Sequence, residues 1–185
     1  MDIKKLNIDK SWTLFLDRDG VINRKLPGDY VKRLSEFSFI QGAPEAIAEL
    51  TALFGRCVVV TNQQGIGKKL MSDDDLNIVH QHMSTFIEKM GGKIDKIYYC
   101  PELQEKNHQD RKPNQGMAHK AKKDFPEIDF NKSLMVGDSL TDIQFGASLG
   151  MKTVFVYGMG NIKDETVVEA DFLVSDLAEL ARRLK

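Results

Sequence analysis

The sequence has little of what marks secreted, membrane or nucleic-acid-binding chains. Only two cysteines, Cys57 and Cys100, occur in 185 residues, too few for a disulfide framework and suited to a reducing cytoplasm. Long apolar runs are missing: the longest stretch free of Asp, Glu, Lys and Arg is residues 76–87, twelve residues, against the ~20 that span a bilayer. The opening MDIKKLNIDKSW has no apolar segment of the secretory kind. No charge of one sign dominates, with 26 Lys and Arg against 27 Asp and Glu, so no basic footprint invites nucleic acid or an anionic membrane. No repeat, low-complexity tract or Pro/Gly/Ser-rich linker divides the chain. What remains, 42% hydrophobic and 29% charged residues, is globular composition. The expectation is one soluble cytoplasmic domain over 1–185, a monomer, with no membrane or nucleic-acid partner.

Apolar runs of strand length recur at Trp12–Leu16, Cys57–Val60, Ile94–Tyr99, Ser133–Val136 and Thr153–Val156. They are nearly continuous rather than alternating, as when both faces of a parallel sheet are covered. Helical patterns lie between them. Pro44 suits a first helical turn, and Ile47, Leu50 and Phe54 follow at helical spacing. Ser72 and Asp75 form a capping box ahead of the stripe Leu76, Val79, Met83, Phe86, Ile87 and Met90, which Gly91-Gly92 stops. Shorter helices are expected over Gln115–Phe125 and Leu140–Leu149. Ser175 would cap a last helix burying Leu177, Leu180 and Leu184. Strands alternating with helices imply an α/β fold, a doubly wound parallel sheet with helices on both faces. Ligands of such sheets bind beyond the carboxyl ends of the strands.

Those ends carry chemistry. The first strand runs into Asp17-Arg18-Asp19-Gly20 and the second into Thr61-Asn62-Gln63-Gln64-Gly65. The loop after the third reaches Arg111-Lys112-Pro113, and the fourth delivers Gly137-Asp138-Ser139 with Asp142 one helical turn on. Taken singly, Asp and Thr at strand ends are helix caps and turn formers. Jointly, a nucleophile, a proton donor, a metal site and donors for phosphate oxygens are what phosphoryl transfer requires.

Asp17-x-Asp19-Gly20, Thr61, Lys112 and Gly137-Asp138-x-x-x-Asp142 are similar to the four motifs of the haloacid dehalogenase superfamily. FLDRDGVIN, VVVTNQQGIG, CP followed by RKP, and MVGDSLTDIQFGASLG resemble its heptose bisphosphate and histidinol phosphatase branch. The likeness runs from Phe15 to about Val156, and residues 158–185 add little to it. It implies a Mg2+-dependent phosphomonoesterase in which Asp17 is the nucleophile, forming an aspartyl-phosphate. Asp17, Asp138 and the backbone carbonyl of Asp19 would hold the magnesium. Asp19 would protonate the leaving group and later activate water, a role needing a carboxyl close to neutral. Thr61 and Asn62, with Gln63 and Gln64 beside them, would meet the substrate. Lys112 would place positive charge on the phosphoryl group, Arg111 would contact the substrate, and Asp142 would orient Lys112 or the metal shell. The implied partner is a small phosphorylated metabolite. A heptose 1,7-bisphosphate losing its 7-phosphate is the first choice, beside histidinol phosphate, another sugar phosphate or a nucleic-acid 3′-phosphate.

The chain departs from the branch in two places. Where the branch carries a structural zinc loop, residues 100–113 offer only Cys100, Glu102, His108 and Asp110. Structural zinc prefers several thiolates, so Zn2+ is not expected, Cys100 and His108 being the nearest to ligands. After Thr61 stand Gly65-Ile66-Gly67-Lys68-Lys69, whose lysines would either meet an anion or face solvent. Residues 21–41 are short for an inserted lid; Gly28, Asp29 and Tyr30 suggest a flap, a minimal cap. His80 and His82 point to different faces of one helix and should not pair on a metal. His119 should be exposed, Cys57 a buried inert thiol, Trp12 a packing residue, and Met83 and Met90 core fill. Rival readings are a phospho-receiver domain, which also gathers Asp, Thr and Lys but lacks Asp-x-Asp after the first strand, and a binding module without activity.

Overall fold

The computed structural model describes residues 3–158 and 169–185. Most of the opening and of the closing segment therefore falls inside it, and 1–2 and 159–168 lie outside the described residues. Six strands, β1 (Thr13–Leu16), β2 (Arg56–Asn62), β3 (Lys96–Cys100), β4 (Ser133–Gly137), β5 (Lys152–Val156) and β6 (Phe172–Val174), form one sheet of order β3-β2-β1-β4-β5-β6. Every pairing is parallel. The strand order reverses at β1, so the crevice of the fold lies between the ends of β1 and β4.

Alternate residues of the strands feed two cores. Leu14, Leu16, Cys57, Val59, Leu134 and Val136 point to one face, with α1 (Ala43–Leu53), α2 (Asp73–Lys89) and α5 (Leu177–Leu184). Phe15, Val58, Val60 and Met135 point to the other, with α3 (Gly116–Asp124) and α4 (Leu140–Ser148). That double burial is why the strands read as continuous apolar runs. At ~25 cal/mol per Å2, the apolar surface so removed from water is the main favourable contribution to folding. Among the described residues no helix is long and apolar enough to cross a membrane.

Three details differ from the expectations. Strand β6 was not expected, because three residues with one half-buried position carry too little periodicity. Asp176, not Ser175, caps α5, its carboxylate accepting from Glu179 N at 2.7 Å. On α2 the capping box forms as expected, but Phe86 and Met90 are each 40% exposed and His80 is buried in their stead. Phe86 instead joins an edge cluster with Phe39 and His82. Trp12 packs in the first core just ahead of β1, while Cys57 is a buried free thiol whose pKa burial raises.

Residues 21–41, expected as a flap, belong to the connection between β1 and α1. Ile40 N donates to Ile22 O at 3.0 Å and Arg24 N to Ser38 O at 2.8 Å, closing its stem. Val21, Ile22 and Val31 anchor it in the interior. At the tip, the Tyr30 hydroxyl accepts from Gln64 Nε2 at 2.7 Å and from Lys68 Nζ at 3.0 Å, which ties the flap to the loop after β2.

Candidate active site

A cleft of about 300 Å3 opens at the switch point, lined by Asp17, Thr61, Arg111, Lys112, Asp138 and Asp142, with Lys25, Leu26 and residues 29–31 on one side. Lys112 is its hub. Its Nζ lies 2.7 Å from Asp17 Oδ1, 2.6 Å from Asp142 Oδ1 and 2.7 Å from Val60 O. It is nearly fully buried, and burial opposes its charge, yet Asp142 and Asp17 hold its pKa above the ordinary lysine value. Asp142 is committed elsewhere too: its Oδ2 accepts from Ser139 N at 3.1 Å and Ser139 Oγ at 2.6 Å, closing the first turn of α4.

The carboxylates are crowded. One oxygen from each of Asp17, Asp138 and Asp142 lies within 4.8 Å of the others. Burial pushes the Asp17 pKa up to about 7. Lys112 pulls against it, and the charges of Asp142 and Asp138 push further. A cluster that cannot keep its negative charge on its own is suited to a divalent cation, and oxygen-only donors suit a hard one such as magnesium. Two glycines permit the crowding. A Cβ on Gly137 would collide with the Asp142 side chain, and one on Gly20, at φ +94°, with the Asp138 carboxylate.

Asp19 sits in the opposite setting. Its oxygens accept from Arg18 Nη2 at 2.9 and 2.8 Å, Asn23 Nδ2 at 2.9 Å and Gln63 Nε2 at 2.8 Å. Burial raises its pKa, but Arg18, Asn23 and Gln63 more than reverse this and hold it below the usual carboxylate value. The near-neutral carboxyl expected from its assigned role is therefore absent from this arrangement. Arg18 itself is fully buried, its Nη1 3.1 Å from His80 Nε2. Burial and the Arg18 charge push the His80 pKa down to about 3, so the ring is neutral and accepts.

Of the residues after Thr61 expected to meet the substrate, Asn62 lines the cleft, and the side chains of all three have partners within the chain. The Asn62 amide exchanges hydrogen bonds with the backbone of Lys112, donating to Lys112 O at 3.1 Å and accepting from Lys112 N at 3.0 Å. Gln63 is buried and bridges Asp19 to the Thr61 hydroxyl, donating to each at 2.8 Å. Gln64 serves the flap through Tyr30. Arg111 lines the cleft, one end of its guanidinium donating to Glu102 O at 3.2 Å.

The residues at the zinc-loop position are near one another, His108 Nδ1 lying 3.7 Å from Asp110 Oδ2, but they are engaged by other partners. Glu102 pairs with Lys106 at 2.6 Å and Asp110 with Lys120 at 2.5 Å, while His108 Nδ1 accepts from Asp110 N at 3.2 Å. Among the described residues, the set of three ligand-bearing groups close enough to share an ion is Asp17, Asp138 and Asp142, and neither Cys100 nor His108 belongs to it. His80 and His82 likewise face different neighbours, Arg18 and the Phe37–Phe39 pair, and His119 is exposed.

The sequence alone gives Arg18, His80 and Lys25 no part in the site. Lys25 Nζ lies 3.1 and 2.9 Å from the two oxygens of Asp138. An arginine between two aspartates was the available signal for Arg18. Nothing local marks His80 or Lys25, whose partners lie 62 and 113 residues away along the chain.

Comparison with known proteins agrees with this geometry. A family model described as HAD-hydrolase-like matches residues 109–180. The D-glycero-alpha-D-manno-heptose-1,7-bisphosphate 7-phosphatase of Mycobacterium bovis is 41% identical over 133 residues, 72% of this chain and 70% of that protein. The D-glycero-beta-D-manno-heptose-1,7-bisphosphate 7-phosphatase of Pasteurella multocida is 34% identical over 93% of this chain and 96% of its own length. Among solved structures, the D,D-heptose 1,7-bisphosphate phosphatase of B. bronchiseptica, complexed with magnesium and phosphate, superposes with a TM-score of 0.82 at 31% identity. It covers 94% of this chain and 97% of that one. The parallel sheet with its acidic switch point and these relatives agree: the chain belongs to the haloacid dehalogenase superfamily, in its heptose bisphosphate phosphatase family.

Proposed function

We propose that the protein removes the 7-phosphate of a D-glycero-D-manno-heptose 1,7-bisphosphate, with magnesium, through an aspartyl-phosphate on Asp17. The observation that carries this reading is Asp17 itself, a buried carboxylate at the switch point held 2.7 Å from Lys112 and crowded by Asp138 and Asp142. Relatives are named for both anomers of the heptose, and the proposal covers either. Asp17, Asp138 and the backbone carbonyl of Asp19 would hold the ion. When bound there, magnesium supplies the charge neutralisation that lets an anionic carboxylate meet an anionic phosphate.

The other roles follow from the hydrogen bonds. Lys112 draws Asp17 toward its ionised form and orients it, and offers positive charge to the phosphoryl group. Because the Thr61 hydroxyl accepts from Gln63, its own proton is directed elsewhere, free for a phosphoryl oxygen. Asn62 fixes the backbone that carries Lys112. Asp19, surrounded by donors, is in the base form that the second half-reaction needs, taking a proton from the water that cleaves the aspartyl-phosphate. In the first half-reaction it gives a proton to the departing alkoxide, which requires Arg18 to loosen its hold. Arg111 faces the substrate with the guanidinium edge that Glu102 leaves free.

The test is Asp17→Asn. Phosphate release from the heptose bisphosphate should fall by on the order of 10⁴ or more, with circular dichroism unchanged. Substantial turnover by a folded Asn variant, or full wild-type activity in excess chelator, overturns the reading.

A further inference from the structure

Lys25 is the one flap residue whose cation touches the carboxylate cluster, and its position has a chemical consequence. Both Asp138 oxygens accept from its Nζ. The stem that carries it is fixed: Asn23 is buried and donates from its side chain to Asp19 and to Arg24 O, while Arg24 N donates to Ser38 O. The side chain is not so fixed, being 57% exposed where its partner is 16% exposed. It shares the lining of the cleft with Arg111. Three carboxylates, Asp17, Asp138 and Asp142, are thus balanced by two ammonium groups, Lys112 and Lys25. Lys112 is locked between Asp17 and Asp142. Lys25 stands on a long flexible stem, so it can move without disturbing the flap.

This inference rests on the proposed function, with a divalent cation held at Asp17 and Asp138. An ammonium and a divalent cation repel, and both need the same Asp138 oxygens. We infer that Lys25 is a substrate-recognition residue that changes partner: it rests on Asp138 in the metal-free chain, gives up that carboxylate on metal binding, and then holds the phosphate of the bisphosphate that is not being hydrolysed. A free positive charge thereby appears at the mouth of the cleft only once the metal is in place, so an anionic substrate is drawn to a site that is ready for it.

The test has two arms, both on variants shown to melt like the wild type. In calorimetric titration with magnesium chloride alone, Lys25→Met should bind the ion about fivefold more tightly, because the competing cation is gone. An affinity equal to the wild type overturns the exchange. In steady-state assays, the ratio of kcat/KM for the heptose bisphosphate to that for phenyl phosphate should fall about tenfold in Lys25→Met, the loss of one charge-assisted hydrogen bond. Lys25→Arg should restore most of it. An equal fall on both substrates, or no fall on either, overturns the recognition role. Failure of the wild type to hydrolyse the bisphosphate would instead refute the substrate reading, so the two failures are told apart.

Discussion

Asp17 and Asp19 are separated by one residue and live in opposite electrostatic regions. The Asp17 side of the cleft holds an excess of carboxylates against a single locked lysine, and burial pushes that group up to about 7. On the Asp19 side a buried arginine and two amides converge on one carboxylate and hold it below its usual value. Burial raises the pKa of both groups, the buried Asp17 and the part-exposed Asp19, so burial alone does not decide their state; what differs is the sign of the neighbours. One half of the motif is left needing a cation, and the other is already satisfied by protein donors. Under the proposed function the same Asp-x-Asp would serve as metal ligand and as proton-transfer group, and the opposite settings of its two carboxylates keep those roles apart.

Removing the locked cation should disturb the first region most. Lys112→Met strands Asp17 and Asp142 as buried carboxylates and should cost roughly 3–5 kcal/mol in urea unfolding at neutral pH, besides abolishing turnover; a variant as stable as the wild type would mean that the crowding is relieved elsewhere. Next, Asp19→Asn keeps the size of the side chain but ends proton transfer. It should lower turnover of the alkyl phosphate by about a hundredfold, and cleavage of p-nitrophenyl phosphate, whose leaving group needs no proton, should fall less in single-turnover measurements. Equal losses would assign Asp19 a merely structural part.

The smallest effect concerns the histidine behind Arg18. The unfolded chain protonates this imidazole near pH 6.5, whereas the folded chain does so only near 3. The unfolded state therefore binds more protons between those values, and stability falls as pH falls, by up to about 1.4 kcal/mol for each unit below 6.5 from this group alone. His80→Gln keeps an acceptor for Arg18 without the titration. Stability curves of variant and wild type should converge above pH 7 and separate below 6, the variant losing less. Parallel curves would show that His80 titrates in the fold as it does in water.

Much of the fold was legible because parallel strands buried on both faces have to be apolar throughout, and Val58-Val59-Val60 or Leu134-Met135-Val136 can hardly be read otherwise. The motif residues were legible because each follows such a strand. Direction was not. Asn62 and Gln63 stand beside Thr61 with side chains suited to a phosphate, yet one turns to the Lys112 backbone and the other to Asp19. Nothing in a string of polar residues says which neighbour the fold will bring nearest. His80 reads as the polar side of an amphipathic helix, and only the arrival of Arg18 from β1 makes it a buried acceptor. Strand β6 was too short to announce itself.

The paired hydrogen bonds between Asn62 and the backbone of Lys112 have a bearing on how this site can vary. Lys112 arrives from the connection after β3, yet β2 holds it in place, through the Asn62 side chain and the carbonyl of Val60. The stretch leading up to it, residues 101–111, is thereby relieved of aiming the ammonium. It can lengthen, shorten or exchange thiolates for carboxylates and lysines, while the cation stays beside Asp17.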